Sequence, residues 1–238
     1  MEIETERDSL NILLAGDTHG DLMNFEMLIN LAKTKSCQQI FVLGDFGYFP
    51  NFQSYKIMID KISNKLVNSS IVLFFLAGNH EDWFSLRLMT ERNKFHEINP
   101  NIFYSPTGNV FEINGTRIMT VGGAYSIDKK YRTFGVDWFP DEELTILDYN
   151  YCSDQGEVDI LLAHDCPESV HIPNLLPIPE AMKNREVLDN IYKEAKPKKL
   201  FHGHYHMKLE TFDETMNCNI VGLNCNLNYP NQTYILSL

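Results

Sequence analysis

The sequence has no long hydrophobic run. Its longest, Ile71 to Ala77, is far short of the roughly 20 apolar residues that a membrane-spanning helix needs. Positive charge is also scarce: 20 Lys and Arg stand against 32 Asp and Glu, giving a formal charge of −12. That balance disfavours a passive binder of long nucleic acid, although bound cations can reverse it locally. The start of the chain, Met1 to Asp8, is acidic and polar, with Arg7 outnumbered by Glu2, Glu4, Glu6 and Asp8, unlike the basic stretch that opens a secretory signal. The five cysteines (Cys37, Cys152, Cys166, Cys218 and Cys225) form no CxxC pair and leave one over. This argues against a disulfide framework and for a reducing compartment. Low-complexity tracts, repeats and Gly/Ser linkers are missing too. The expectation is one soluble cytoplasmic domain over residues 1–238, of unknown oligomeric state, with 44% hydrophobic residues available for a core.

What is present is an alternation of short apolar runs and helix-like stretches. Asn11–Ala15 precedes Asp21–Lys35, Gln39–Leu43 precedes Ser54–Val67, and Ile71–Ala77 follows. Such spacing predicts βαβ units around a buried sheet, with Leu22, Phe25, Leu28, Ile29 and Ala32 on one helix face. Further on, Val110–Ile113 and Arg117–Val121 flank Asn114-Gly115, a pair suited to a type I′ hairpin turn. Strands are expected at Val158–Ala163 and Lys199–His202, with a helix-compatible stretch Pro179–Ala195 between them. The tail, Cys218–Leu223 and Thr233–Leu236, reads as another strand pair. A mixed α/β layered sandwich results.

The chemistry follows these strands. Ala15 leads into Gly16-Asp17-Thr18-His19-Gly20-Asp21, Leu43 into Gly44-Asp45-Phe46-Gly47, and Ala77 into Gly78-Asn79-His80-Glu81-Asp82. Ala163 leads into His164-Asp165, and Phe201 into His202-Gly203-His204-Tyr205-His206. Ligands of α/β sheets gather outside the carboxyl ends of strands, so these distant segments can converge. Carboxylates, an amide oxygen and imidazoles without cysteine suit divalent metals with mixed nitrogen and oxygen ligands, such as Mn²⁺, Fe²⁺ or Zn²⁺. Asp17 and His19, two apart on an extended segment, are expected on one side, as are His204 and His206. Any one segment alone is ordinary turn chemistry. Six of the eight histidines at four such strand ends are not.

The ordered set Gly-Asp-Thr-His-Gly, Gly-Asp-Phe-Gly, Gly-Asn-His-Glu, an isolated His after a strand, and Gly-His-Tyr-His resembles the calcineurin-like metallophosphoesterase family, from Asp17 to His206. The resemblance implies an α/β fold, a two-sheet mixed β-sandwich flanked by helices in four layers, with a two-metal centre along one edge. Asp17, His19 and His206 would then hold one divalent metal, Asn79, His164 and His204 the other, and Asp45 would bridge them. Mn²⁺ leads among the ions implied, with Fe²⁺/Fe³⁺, Zn²⁺ or Ni²⁺ as alternatives. A metal-activated water would attack phosphorus, with two cations about 3.5–4 Å apart neutralising the ester. His80 would touch the substrate or its leaving group, and would serve as a general acid if Glu81, Asp82 or Asp21 raised its pKa. Asn79 counts among the implied substrate contacts. Asp165 and Tyr205 are candidates to orient the metal-bound imidazoles.

Phosphoprotein phosphatases of this superfamily carry Asp-Arg-Gly in the second motif and an Arg after the third. Here the whole segments read Gly44-Asp45-Phe46-Gly47-Tyr48-Phe49 and Gly78-Asn79-His80-Glu81-Asp82-Trp83, so both phosphate-gripping arginines are missing. Lys129 or Arg132, in the loop after Gly122-Gly123-Ala124, is placed to replace them, with solvated surface as the alternative. The aromatic set Phe46, Tyr48, Phe49, Phe52, Trp83 and Phe84 can stack on a nucleobase or simply pack the core. The expected substrate is a small, nucleotide-like phosphodiester or phosphomonoester. A Ser/Thr protein phosphatase, a nuclease and a non-catalytic metal-binding scaffold are the other readings. A thiol nucleophile at Cys166 is disfavoured, since His164 is better used as a ligand.

Overall fold

The central strands are apolar on consecutive residues because both of their faces are covered. In β1 (Asn11–Ala15), Ile12 and Leu14 enter a core between two sheets, whereas Leu13 and Ala15 enter a second core under helices. Each leucine fully buried in this way stabilises the fold by about 2 kcal/mol. The structure, a computed structural model, describes residues 10–226 and 231–238. The signal-peptide reading rests on residues 1–8, which lie outside the described residues.

The chain continues through α1 (Leu22–Thr34), β2 (Gln39–Leu43), α2 (Gln53–Ser69), β3 (Val72–Leu76), a short α3 (Trp83–Arg87), β4 (His96–Asn99) and β5 (Ile102–Tyr104). There follow β6 (Val110–Ile113), β7 (Thr116–Val121), α4 (Ile146–Ser153), β8 (Ile160–Ala163), α5 (Pro179–Ala195), β9 (Lys199–His202), β10 (Leu209–Asp213), β11 (Cys218–Gly222) and β12 (Thr233–Ser237). One sheet has the order β12-β1-β2-β3-β5-β4 and the other β10-β11-β9-β8-β7-β6. In the first, β1, β2, β3 and β5 run parallel; in the second, β7, β8, β9 and β11 do. Antiparallel strands close both edges of each sheet.

Phe25, Leu28 and Ile62 of α1 and α2 cover the first sheet, and Leu188, Ile191 and Tyr192 of α5 cover the second. Phe41, Leu43, Leu76, Leu162 and Phe201 fill the space between the sheets. The four layers expected from the resemblance are all present. Local signals set the ends: the Asp21 carboxylate caps α1 through Met23 N and Asn24 N, and Pro179 opens α5 at a position needing no amide donor. Asn114 and Gly115, at φ 50° and 80°, make the hairpin turn between β6 and β7.

The tail departs from expectation. β11 and β12 form as predicted but do not pair: β11 joins β9 and β10 in one sheet, while β12 crosses to β1 in the other. The sequence pattern does not predict β4, β5, β10, α3 or α4. Three of them are short, and β10 is an exposed edge strand without an apolar run. Among the described residues no helix is long and apolar enough to cross a membrane.

Candidate metal centre

Parallel strands aim their carboxyl ends the same way, so the turns after β1, β2, β3, β8 and β9 meet along one edge of the sandwich. Those turns carry Asp17 and His19, Asp45, Asn79 and His80, His164, and His204 and His206. The backbone is not extended there. His19, Asp45, His204 and His206 have φ of 48°, 46°, 66° and 49°, the left-handed region that costs an L-residue about 1–2 kcal/mol. The sharp turns, not strand alternation, bring Asp17 and His19 together. Gly44, at φ 94°, is required for a further reason: a Cβ there would run into the His164 imidazole.

Ligand atoms of Asp17, His19, Asp45 and His206 all lie within 4.8 Å of one another. His19 Nε2 is 3.4 Å from Asp45 Oδ2, and His206 Nε2 is 3.0 Å from Asp17 Oδ2. The other Asp45 oxygen, Oδ1, faces His164 Nε2 at 3.4 Å, and that nitrogen lies 3.1 Å from Asn79 Oδ1. The His204 ring stands 5.0 Å from that of His164, while its amide donates to Asp17 Oδ1. His80 donates its backbone N–H to Asp45 Oδ1 at 2.8 Å and sets its ring 5.5 Å from His19.

The donor set fits divalent cations. Asp17 Oδ2 is buried without a hydrogen-bond partner, because the His206 contact lacks hydrogen-bonding geometry. Burial opposes ionisation of Asp45, yet the charges of His164, His80 and His19 hold it well below the usual carboxylate range. Burial likewise opposes protonation of His19, but the hydrogen bond and charge of Asp45, with Asp17 behind, raise it to about 9. His164 is raised too, against burial, by Asp45 and Asp17. Imidazoles that hold protons against burial mark a potential suited to metal ions.

The family model for calcineurin-like phosphoesterases matches residues 10–208. The chain belongs to that family. Members of that family are phosphoesterases, and the cluster of Asp17, His19, Asp45 and His206 has the ligand types that could hold a divalent metal ion. A lariat debranching enzyme of Schizosaccharomyces pombe is 25% identical over 232 residues, an alignment covering 84% of this chain and 48% of the relative. The chain thus spans about half the length of that relative. Among solved structures, a protein of Thermus thermophilus superposes with a TM-score of 0.59 at 13% identity, covering 96% of this chain and 98% of the other. A dimetal phosphatase from Danio rerio gives 0.57 at 13% identity, covering 95% and 90%. Both share the fold.

Around the centre several neighbours differ from expectation. His164 Nδ1 lies 2.8 Å from the Leu43 carbonyl, which can only accept, so the proton sits on Nδ1 and Nε2 is left for a metal. His19 Nδ1 pairs with Asn226 Oδ1 at 3.3 Å. Asp165 and Tyr205 instead bond each other at 2.5 Å, and Asp165 also accepts from Asn184. Asn226 lies beyond the last motif, where no local pattern marks it.

The carboxylates considered for His80 are engaged elsewhere. Glu81 spans the turns that carry Asp45 and Asn79, accepting from Gly47 N and Gly78 N, and burial beside Asp45 pushes its pKa up to about 8. Asp82 and Asp21 cap α3 and α1. His80 is accordingly held below its ordinary value, by burial first; Asp45 and Asp128 oppose this, while Arg132 and His19 add to it. Arg132 is buried against the chain, donating to Ser126 Oγ, to the Asn79 carbonyl and to the Asp137 carbonyl. Ser126 Oγ accepts from Asn79 Nδ2, so Arg132 helps turn Asn79 Oδ1 towards His164 instead of gripping phosphate. Lys129 lies over Tyr125 and Trp138. Neither cation lines the clefts beside the centre.

Two clefts adjoin the centre, of about 510 Å³ and about 250 Å³, and His80 lines both. The aromatic set divides between core and site. Phe46, Tyr48 and Trp83 are core residues, whereas Phe49 and Phe52, their rings 5.6 Å apart, line the smaller cleft with His19. Phe84 is exposed and lines neither. Cys166 is fully buried and burial raises its thiol well above the ordinary value, so it offers no nucleophile.

Proposed function

We propose that the chain is a dinuclear phosphoesterase acting on small phosphodiesters, with Asp45 as the bridging ligand. The supporting observation is that its two oxygens face different donors: Oδ2 faces His19, beside Asp17 and His206, and Oδ1 faces His164, beside Asn79 and His204. A pair of ions held there would supply positive charge to the ester and lower the pKa of a bound water, with Mn²⁺ the first choice. Asp17, His19 and His206 would hold one, and Asn79, His164 and His204 the other. The name of the Danio rerio neighbour, a dimetal phosphatase, agrees with this count.

The chain's own residues supply position. Glu81 ties the Asp45 turn to the Asn79 turn, Ser126 orients the Asn79 amide, and Leu43 fixes the His164 tautomer. His80, at the junction of the two clefts, faces the place where an ester oxygen departs and would donate a hydrogen bond to it. A diester is favoured over a monoester because it carries one negative charge fewer, and the one arginine lining the larger cleft, Arg185, already donates to the carbonyls of Cys166, Pro167 and Val170. Phe49 and Phe52 favour a flat group, such as a nucleobase, in the smaller cleft. The likeness to a lariat debranching enzyme supports a nucleic-acid phosphodiester as the second reading, against which stands the charge of −12.

Paired assays with mono- and bis(p-nitrophenyl) phosphate test the reading, the diester being expected to be the better substrate by kcat/KM. His80→Ala should lower kcat about 10²–10⁴-fold on a diester with a poor alkoxide leaving group and far less on a p-nitrophenyl ester. Equal loss on both would remove His80 from leaving-group contact, and a monoester preference would overturn the diester assignment.

A further inference from the structure

The larger cleft is built unlike the smaller one. One wall is the metal centre itself, Asp45, Asn79, His80, His204 and His206. The opposite wall comes from the segment entering α5 and its first turn, with Leu175, Leu176, Ile178, Ala181 and Met182, while Ile127 reaches in from the loop after β7. Leu176 and Ile127 are 75% and 67% exposed, so their apolar surface faces the opening and not the core. None of the described residues covers these side chains.

The polar groups of this cleft exclude a second phosphate. Arg185 is saturated by backbone carbonyls, as described, and is itself buried. The remaining charged residues away from the metal ligands, Asp128, which pairs with Arg132, and Asp165, which accepts from Tyr205 and Asn184, are acidic and offer an anion no donor. At about 510 Å³ the volume lies within the range of roughly 300–1,000 Å³ usual for small-molecule sites. An uncharged group entering here would bury apolar surface while leaving the phosphorus at the metal ligands that form the other wall.

We infer that this cleft is the specificity subsite for one substituent of the phosphoester, and that the substituent is bulky, uncharged and largely apolar. The inference rests on the diesterase reading only for where phosphorus lies. Its test uses p-nitrophenyl phosphate diesters whose second substituent is methyl, hexyl or 2-carboxyethyl. In parallel, calorimetry on the metal-loaded protein measures binding of the singly charged, unreactive methyl and hexyl esters of methylphosphonic acid.

The hexyl group should improve both kcat/KM and affinity at least about tenfold over methyl, and the carboxyethyl group should improve neither. Ala181→Phe, which fills the cleft from its helical wall, should bring hexyl within about twofold of methyl. Leu176→Ser, at an exposed position, should erode the same preference without endangering the fold. Equal affinities for the hexyl and methyl phosphonates in the wild-type protein, or a preference for the carboxylate, would overturn the inference. Absence of diester turnover with the binding preference intact would instead sink the diesterase reading alone.

Discussion

Replacing Asp45 by asparagine is expected to lower kcat by about 10²–10⁴-fold while the protein remains folded, because it removes the carboxylate whose two oxygens face His19 Nε2 and His164 Nε2. Asparagine tolerates the left-handed backbone at this position, and its side-chain oxygen can still accept from His80 N. The fold therefore loses little. The loss falls on charge: without the carboxylate, His19 and His164 lose the stronger of the two acidic partners, Asp45 and Asp17, that raise their affinity for protons. Circular dichroism and thermal melting should match the wild type within a few degrees, and metal analysis should show fewer bound ions. A folded variant with wild-type turnover would remove Asp45 from the centre.

Gly44→Ala is expected to be more damaging to the fold. Alanine at φ 94° costs about 1–2 kcal/mol, and the added methyl group collides with the fully buried His164 ring, a clash worth a further 1–3 kcal/mol or so. The sum, about 2–5 kcal/mol, is a large share of a typical domain's stability. His164 can yield only by breaking its bond to Leu43 or its approach to Asn79, so the second donor set is disrupted as well. Gly115→Ala provides the control. It too has a left-handed φ, of 80°, but nothing lies near its Cβ position, so denaturant unfolding should show a loss of only about 1–2 kcal/mol there. Equal losses at the two positions would mean that the close approach of Gly44 to His164 has been misread.

The central strands were legible because burial on both faces leaves short runs of apolar residues between glycine-rich turns, as in β1, β2 and β3. The hairpin was legible because Asn114-Gly115 has few other uses. The partner of a strand is not written in its own residues. Cys218–Gly222 and Thr233–Ser237 look alike and adjoin in sequence, yet they enter different sheets, since the choice depends on which edge each sheet leaves open. The motif residues converge at one edge because parallel strands must place their ends together. Their immediate supports could not be read in the same way. Leu43 acts through a carbonyl that every residue has, and Asn226 lies in a stretch with no motif. The charge of Arg132 is plain in the sequence, but its guanidinium is directed inward by Ser126 and two backbone carbonyls, a role no linear pattern distinguishes from phosphate binding.

Metal counting against activity tests the dinuclear centre most directly. Protein stripped with EDTA and titrated with Mn²⁺ should be inactive at the start. It should bind two ions per chain by elemental analysis and regain diester hydrolysis only as the second equivalent binds. Full activity at one equivalent, or turnover that survives complete removal of metal, would contradict the account.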